Sequence, residues 1–235
     1  MKKIAFVSLL ISIIVSFVSC NCNDCHTPES ISQDTINNQS LYVLANEKHF
    51  LKDYKPYADN GYINAVIEIP AGTLEKWEVD KIEGNMKLEF VDEKPRIVQY
   101  LAYPANYGMI PQTLLPKELG GDGDPLDVLV LGDACERGEV VACKLIGVMI
   151  MLDRGEQDDK LIAVKYGSPY NDVNSIAELD EKFPGITEIL KIWFTNYKGV
   201  GKIEVVGFEE EEVADEILIK AIEEYKKATS FATGK

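Results

Sequence analysis

Histidine is nearly absent from this 235-residue chain, which has only His26 and His49. Two are too few for a histidine-based zinc site, and no serine-histidine-aspartate set is apparent. The P-loop pattern GxxxxGK[ST] is missing as well, which excludes that class of nucleotide site. Positive charge is also scarce: 24 lysines and arginines stand against 39 acids, a formal net charge of −15. Such a field disfavours a nucleic-acid backbone or an anionic membrane surface as partner. An anionic small molecule stays open only if metals or a local basic group reverse the field. There is no internal repeat, so a solenoid is excluded.

The N-terminus reads as a leader. Lys2-Lys3 and the apolar run Ile4 to Val18 have the charged and hydrophobic regions of a secretory signal, and the run is too short to span a bilayer comfortably. It ends in Phe17-Val18-Ser19-Cys20, which resembles a bacterial lipobox. Residues 1–19 are therefore expected to be a signal peptide, with Cys20 lipidated and the protein tethered to a membrane of the cell envelope. A plain secreted protein, an uncleaved anchor, or a cytoplasmic protein with an unused leader are the alternatives. Residues 20–57 form a polar tether and lead-in. Within them Cys22-Asn23-Asp24-Cys25-His26 matches the CxxCH pattern of covalent haem attachment, yet no helical pattern around it supports a haem pocket. A Cys22–Cys25 disulfide or free thiols fit the segment better than a lipidated electron carrier does. Cys135 and Cys143 are expected to be small buried side chains flanking a hairpin around Arg137-Gly138.

From residue 58 to 235 the pattern is a single domain of short apolar segments separated by turns. Strands are expected at Ala65–Ile69, Lys87–Val91, Ile97–Leu101, Leu126–Leu131, Val140–Met151, Lys160–Val164 and Ile203–Phe208. Segments this short and frequent suggest a small closed β-barrel. Helices are expected at Ile186–Tyr197 and Glu210–Thr229. In the second, Ala214, Ile217, Leu218, Ala221, Ile222 and Tyr225 share one face, and Glu209–Glu212 supply acid where the helix dipole favours it.

The chemistry is concentrated in "GDGDPLDVLVLGD", residues 121–133. Asp122 and Asp124 suit a turn, but Asp127 stands in an apolar strand, where an unpaired carboxylate is costly. A hard divalent cation shared by Asp122, Asp127 and Asp124 would fit. An EF-hand loop is excluded, because its glycine position holds Asp127 and its bidentate glutamate position holds Asp133. A second acidic group, Asp153, Glu156, Asp158 and Asp159, sits between two apolar strands in "MLDRGEQDDKLIAV". Alone it reads as a solvated hairpin. Together, the two clusters could hold several ions close enough to clamp both oxygens of a phosphoryl displacement. Glu68 adds an acid on a strand. Lys76, Arg96, Lys160 and Lys198, with Tyr107 and Tyr197, are candidates to meet phosphate oxygens.

Several segments in one order resemble the family I soluble inorganic pyrophosphatases: "VIEIPAGTLEKWEVDK" (66–81), "YPANYGMIPQT" (103–113), "DGDPLD" (122–127), "DVLVLGD" (127–133), "LDRGEQDDKLIAV" (152–164) and "NYKG" (196–199). The resemblance spans roughly residues 60 to 230. It implies an α+β, mainly β fold: an OB-like five-stranded closed barrel with peripheral α-helices. It also implies Mg²⁺-dependent hydrolysis of inorganic diphosphate, with several ions per site, and it leaves homo-oligomerisation open. Asp122, Asp127 and Asp158 match the ligands of the tighter ion, with Asp127 bridging. Asp153 and Asp158 match ligands of ions arriving with substrate, and Glu68 matches a further acidic position. Asp124 matches the residue that orients and deprotonates water. Lys76, Arg96, Lys160, Tyr197 and Lys198 match the phosphate-binding set, while Glu78 and Tyr107 match polar residues of the catalytic cleft. A catalytically silent metal- or phosphate-binding lipoprotein of the same fold is the competing reading.

Overall fold

The computed structural model describes residues 39–119, 121 and 123–233. The leader, Cys20, the CxxCH run of Cys22, Cys25 and His26, and Asp122 lie outside the described residues. Five strands close into a ring: β2 (Ile63–Ile69), β7 (Asn106–Met109), β8 (Asp127–Leu131), β11 (Lys160–Lys165) and β9 (Val140–Asp153), with β9 returning to β2. This is the small closed barrel that the frequent short strands suggest, in the OB-like five-stranded form that the resemblance implies. The ring's only parallel contact is β8 with β11, in the register Val128↔Leu161 to Leu131↔Val164. Closure depends on the length of β9. Its first half pairs with β2 from Val140 to Cys143, and its second half pairs with β12 (Ile203–Glu210) from Gly147 to Asp153.

Outside the ring, the short strands β1 (Val43–Leu44), β3 (Trp77–Val79) and β4 (Met86–Leu88) form a three-stranded sheet in the order β1-β4-β3. Strands β5 (Phe90–Val91) and β6 (Lys94–Pro95) make a ribbon, and β10 (Glu156–Gln157) caps the end of β9.

The ring strands are apolar on both faces, and the period of two sends alternate residues to separate clusters. Leu129, Leu131, Ile162 and Val164 pack in one cluster with Ile176, Leu179, Leu190, Trp193 and Phe194. Those last five come from the helices α1 (Ile176–Lys182) and α2 (Ile186–Asn196). Val128, Val130, Leu161 and Ala163 belong to the other, which the C-terminal helix α3 (Glu211–Thr233) covers. On α3, Ala214, Leu218, Ala221 and Ile222 are buried, with Ile217 partly buried against the same cluster, as the helical spacing predicts. Each large aliphatic side chain buried this way contributes about 1.5–3 kcal/mol. Cys135 and Cys143 are buried thiols within the second cluster.

Three expectations are corrected. The run Lys87–Val91 is not one strand, because it breaks at Glu89 between β4 and the β5–β6 ribbon. Ile97–Leu101 is not a strand. Ile97 makes one bridge to Glu75, Val98 N–H donates to the Leu74 carbonyl, and Leu101 is exposed. The turn around Arg137-Gly138 does not make a hairpin either, because β11 lies between β8 and β9. Its backbone bonds go to β2 instead: Ile67 N–H donates to the Glu139 carbonyl, and Gly138 N–H donates to the Ile67 carbonyl. Strand β7 and helix α1 have no clear mark in the sequence pattern. Helix α1 is short and borrows its capping. Ser175 Oγ accepts from Glu178 N–H at 3.0 Å, and the Glu210 carboxylate of β12 accepts from the N–H groups of Ile176 and Ala177.

Buried Asn106 locks the end of β8 opposite Asp127. Its carbonyl oxygen accepts from Ala71 and Cys135 N–H, and its amide donates to the Val130 and Asp133 carbonyls. All four side-chain hydrogen-bonding positions are used, so removing the amide would strand four backbone groups. Two residues on, a Cβ at Gly108 would lie 2.0 Å from the Val66 carbonyl oxygen, which is why the β2–β7 seam needs glycine there.

Candidate active site

Because β8 and β11 run parallel, both enter the barrel at the same end, and their first residues, Asp127 and Lys160, face one another. Lys160 Nζ donates to Asp127 Oδ2 at 2.6 Å and also to Asp158 Oδ1. The ammonium is almost completely buried, at 3% side-chain exposure. Around this pair opens a cleft of about 650 Å³. It gathers Glu68 from β2, Lys76 and Glu78 beside and within β3, Arg96, Tyr107 from β7, and Asp124 and Asp127 from the turn into β8. Asp153, Asp158, Lys160, Tyr197 and Lys198 complete the set. Every residue assigned to the site from the sequence thus lines one cavity, apart from Asp122, which lies outside the described residues.

The charges are interleaved. Lys198 Nζ donates to Asp153 Oδ2 at 2.7 Å, Arg96 Nη1 donates to Glu89 Oε2 at 2.6 Å, and Lys76 Nζ sits 4.8 Å from the centre of the Tyr107 ring. The Tyr107 hydroxyl also favours the ionised form of Asp127. Burial raises the Asp127 carboxyl, but Lys160 and Lys76 outweigh it and leave the group below the ordinary aspartate range. For Asp158 burial wins over Lys160, and its carboxyl is raised. Glu68 is 5% exposed and accepts from Val79 N–H at 2.8 Å. Its carboxyl is pushed up to about 7, chiefly by burial, with Lys76 opposing. Tyr197 is raised by burial, so both it and Tyr107 are hydroxyl donors at neutral pH.

Among the described residues no three acidic, histidine or cysteine groups converge tightly enough to hold an ion. The donor chemistry nevertheless fits a hard divalent cation. The acids offer carboxylate oxygen only, and Asp153 Oδ1 is buried with no hydrogen-bond partner. Two cleft residues were missed in the sequence. Tyr103 is buried beside Tyr107 and Tyr197, with ring centres 5.6 and 6.4 Å away. Its signal was its place at the head of "YPANYG". Lys81 reaches across the mouth to pair with Asp124. It ends the quoted "WEVDK", but nothing local links it to a turn more than forty residues on.

A family model described as inorganic pyrophosphatase matches residues 65–226, more than half of the chain. The chain belongs to the inorganic pyrophosphatase family. It is 39% identical over 171 residues to the inorganic pyrophosphatase of Campylobacter jejuni subsp. jejuni, covering 70% of this chain and 92% of that one. The solved inorganic pyrophosphatase of Helicobacter pylori is similar with a TM-score of 0.62 and 35% identity, over 74% of this chain and 98% of that one. The type I inorganic pyrophosphatase of P falciparum gives a TM-score of 0.70 at 25% identity. The match covers 76% of this chain but 63% of that longer one, so less than two thirds of its length is spanned. The activity follows: the protein hydrolyses inorganic diphosphate, and its family is metal-dependent.

The raised Glu68 carboxyl sets a pH-dependent test. Folded, Glu68 keeps its proton up to about pH 7, whereas an ordinary glutamate loses it near 4.5. Between those values the folded state binds more protons, so stability from this group falls as pH rises. In metal-free protein, Glu68→Gln should remove that fall. The parent should lose roughly 3 kcal/mol relative to the variant between the acid and neutral ends of the window. Denaturant unfolding at several pH values measures it, and a pH-independent difference would contradict the assigned shift.

Proposed function

We propose that the cleft hydrolyses diphosphate by attack of a water held at Asp124, with Mg²⁺ bound by Asp122, Asp127, Asp153, Asp158 and Glu68. The observation that carries this reading is the meeting, in one cavity, of Asp127, Asp153, Asp158 and Glu68 with Lys76, Arg96, Lys160 and Lys198. A diphosphate bound through metal ions needs both sets at once, anions for the ions and cations for the phosphate oxygens. When bound, Mg²⁺ supplies Lewis-acid stabilisation and a water acidic enough to be deprotonated near neutral pH.

The chain's own residues do the rest. Asp124, half-exposed at the cleft mouth, takes the proton of the attacking water. Arg96 offers a two-pronged donor, Lys76 and Lys198 offer mobile point charges, and the Tyr197 and Tyr107 hydroxyls offer directional bonds. These groups hold the diphosphate in line and neutralise charge on the departing phosphate. Lys160 keeps Asp127 ionised and fixed. Glu78, exposed on β3 between Trp77 and Val79, would orient solvent at the rim.

The location is a second part of the proposal. Lys2-Lys3, the apolar run and the Val18-Ser19-Cys20 ending support export, lipidation at Cys20 and attachment to an envelope membrane. No helix among the described residues is long and apolar enough to cross a membrane. Metabolic labelling with a fatty acid, followed by fractionation, should find labelled protein in the membrane fraction and unlabelled Cys20→Ala protein outside it. Unlabelled protein retaining Met1 would contradict this.

The roles of two neighbouring acids can be separated by magnesium titration of diphosphate hydrolysis. Asp124→Asn should lower turnover by about 10²- to 10⁴-fold with little change in the magnesium needed for half-maximal rate, because it loses a general base. Asp127→Asn should raise that magnesium requirement and recover part of its activity in excess magnesium. Identical magnesium dependence in the two variants would refute the assignment.

A further inference from the structure

Glu68 reaches the cleft through an irregularity in its own strand. β2 pairs with β7 through Val66↔Met109 and Ile67↔Gly108, and the next pair is Ile69↔Tyr107. Two residues on β2 are therefore spanned by one step on β7, and Glu68 is the extra residue of a β-bulge. A bulge re-aims a side chain and takes the backbone of the extra residue out of the ladder. Here the side chain is turned to the cleft, where it accepts from Val79 N–H at 2.8 Å.

The carbonyl left outside the ladder is met by Arg137, whose Nε donates to the Glu68 oxygen at 3.1 Å. The same guanidinium lies 4.5 Å from the centre of the Trp77 ring, and Nη2 is 3.7 Å from Glu75 Oε2. Trp77 stands directly between Lys76 and Glu78. The turn that carries Arg137 is itself fixed to β2 by the two backbone bonds at Ile67. Arg137 does not line the cleft.

We propose that Arg137 is a positioning residue for diphosphate hydrolysis. One flat, forked cation holds the bulge that aims Glu68 and the strand that carries Lys76 and Glu78 in a single geometry. The inference rests on the reading that Glu68 serves the reaction. Lysine cannot replace arginine here, because an ammonium is a point charge and cannot both donate in the plane and stack on an indole. A methionine would preserve apolar cover on Trp77 while removing the donor.

The test is a kinetic cycle on the full-length protein with magnesium and diphosphate: parent, Arg137→Met, Glu68→Gln and the double variant. Arg137→Met should lower kcat/KM by roughly 10- to 100-fold, the cost of a misplaced group, and raise the magnesium concentration for half-maximal rate. Because Arg137 acts largely through Glu68, the double variant should be slower than Glu68→Gln by no more than about 3-fold. Arg137→Lys should recover little of the rate while keeping the thermal midpoint within a few degrees of the parent, and it carries the same cycle if the methionine variant does not fold. Losses that multiply in the double variant, or a parent-like rate in Arg137→Met, would overturn positioning through Glu68 with the Glu68 reading intact. A parent-like rate in Glu68→Gln would instead overturn that reading, and the inference with it.

Discussion

The buried ammonium of Lys160, set between Asp127 and Asp158, is the contact on which the site depends. Taking these charges out of water is expensive, and a buried ion pair generally returns little net stability. What it supplies is a fixed geometry. Two carboxylates are held at the cleft wall by one shared cation, and Asp127 stays ionised although its strand is otherwise apolar. An aspartate at that place without Lys160 would take up a proton or pull the strand toward water.

Much of the fold works to bring Lys160 to that point. The parallel β8–β11 contact makes Asp127 and Lys160 neighbours although 33 residues separate them. Parallel strands need a long connection, and the chain uses it to build β9, the strand that closes the ring. Asn106 ties the far end of β8 to the loops on either side, so the strand cannot slide relative to β7. A shift of one residue would send Asp127 to the other face and its apolar neighbours into the cleft. Register, closure and buried charge are therefore one constraint.

The features legible in the sequence were those with a local signature. Asp127 was conspicuous because it interrupts Leu126 to Leu131, and the apolar face of α3 was fixed by helical spacing. The short apolar strands and the ordered motifs together pointed to the barrel, and Glu68 and Lys76 came with those motifs, whereas Arg96 lies between two of them and was marked only as a cation beside an apolar run. Pairing across distance was not legible. The turn at Arg137-Gly138 has the local appearance of a hairpin, yet its partners are on β2, more than sixty residues earlier. Ile97–Leu101 has strand composition, but its backbone bonds irregularly to residues 74–76 so that Arg96 is presented to the cleft. The Glu68 bulge is invisible locally, since an extra residue can be recognised only against the partner strand. The Lys81–Asp124 pair joins two exposed turns that carry no mark of each other.

Lys160 holds Asp127 ionised at the cleft wall. The most direct measurement is a pH titration of the Asp127 side-chain carbon by NMR, in metal-free parent and in Lys160→Met. In the parent, Asp127 should titrate below the ordinary aspartate range. In the variant, with burial unopposed by its nearest cation, it should move upward by one or more pH units, as expected for a buried carboxyl that loses an opposite charge. The same titration midpoint in both proteins would contradict the account.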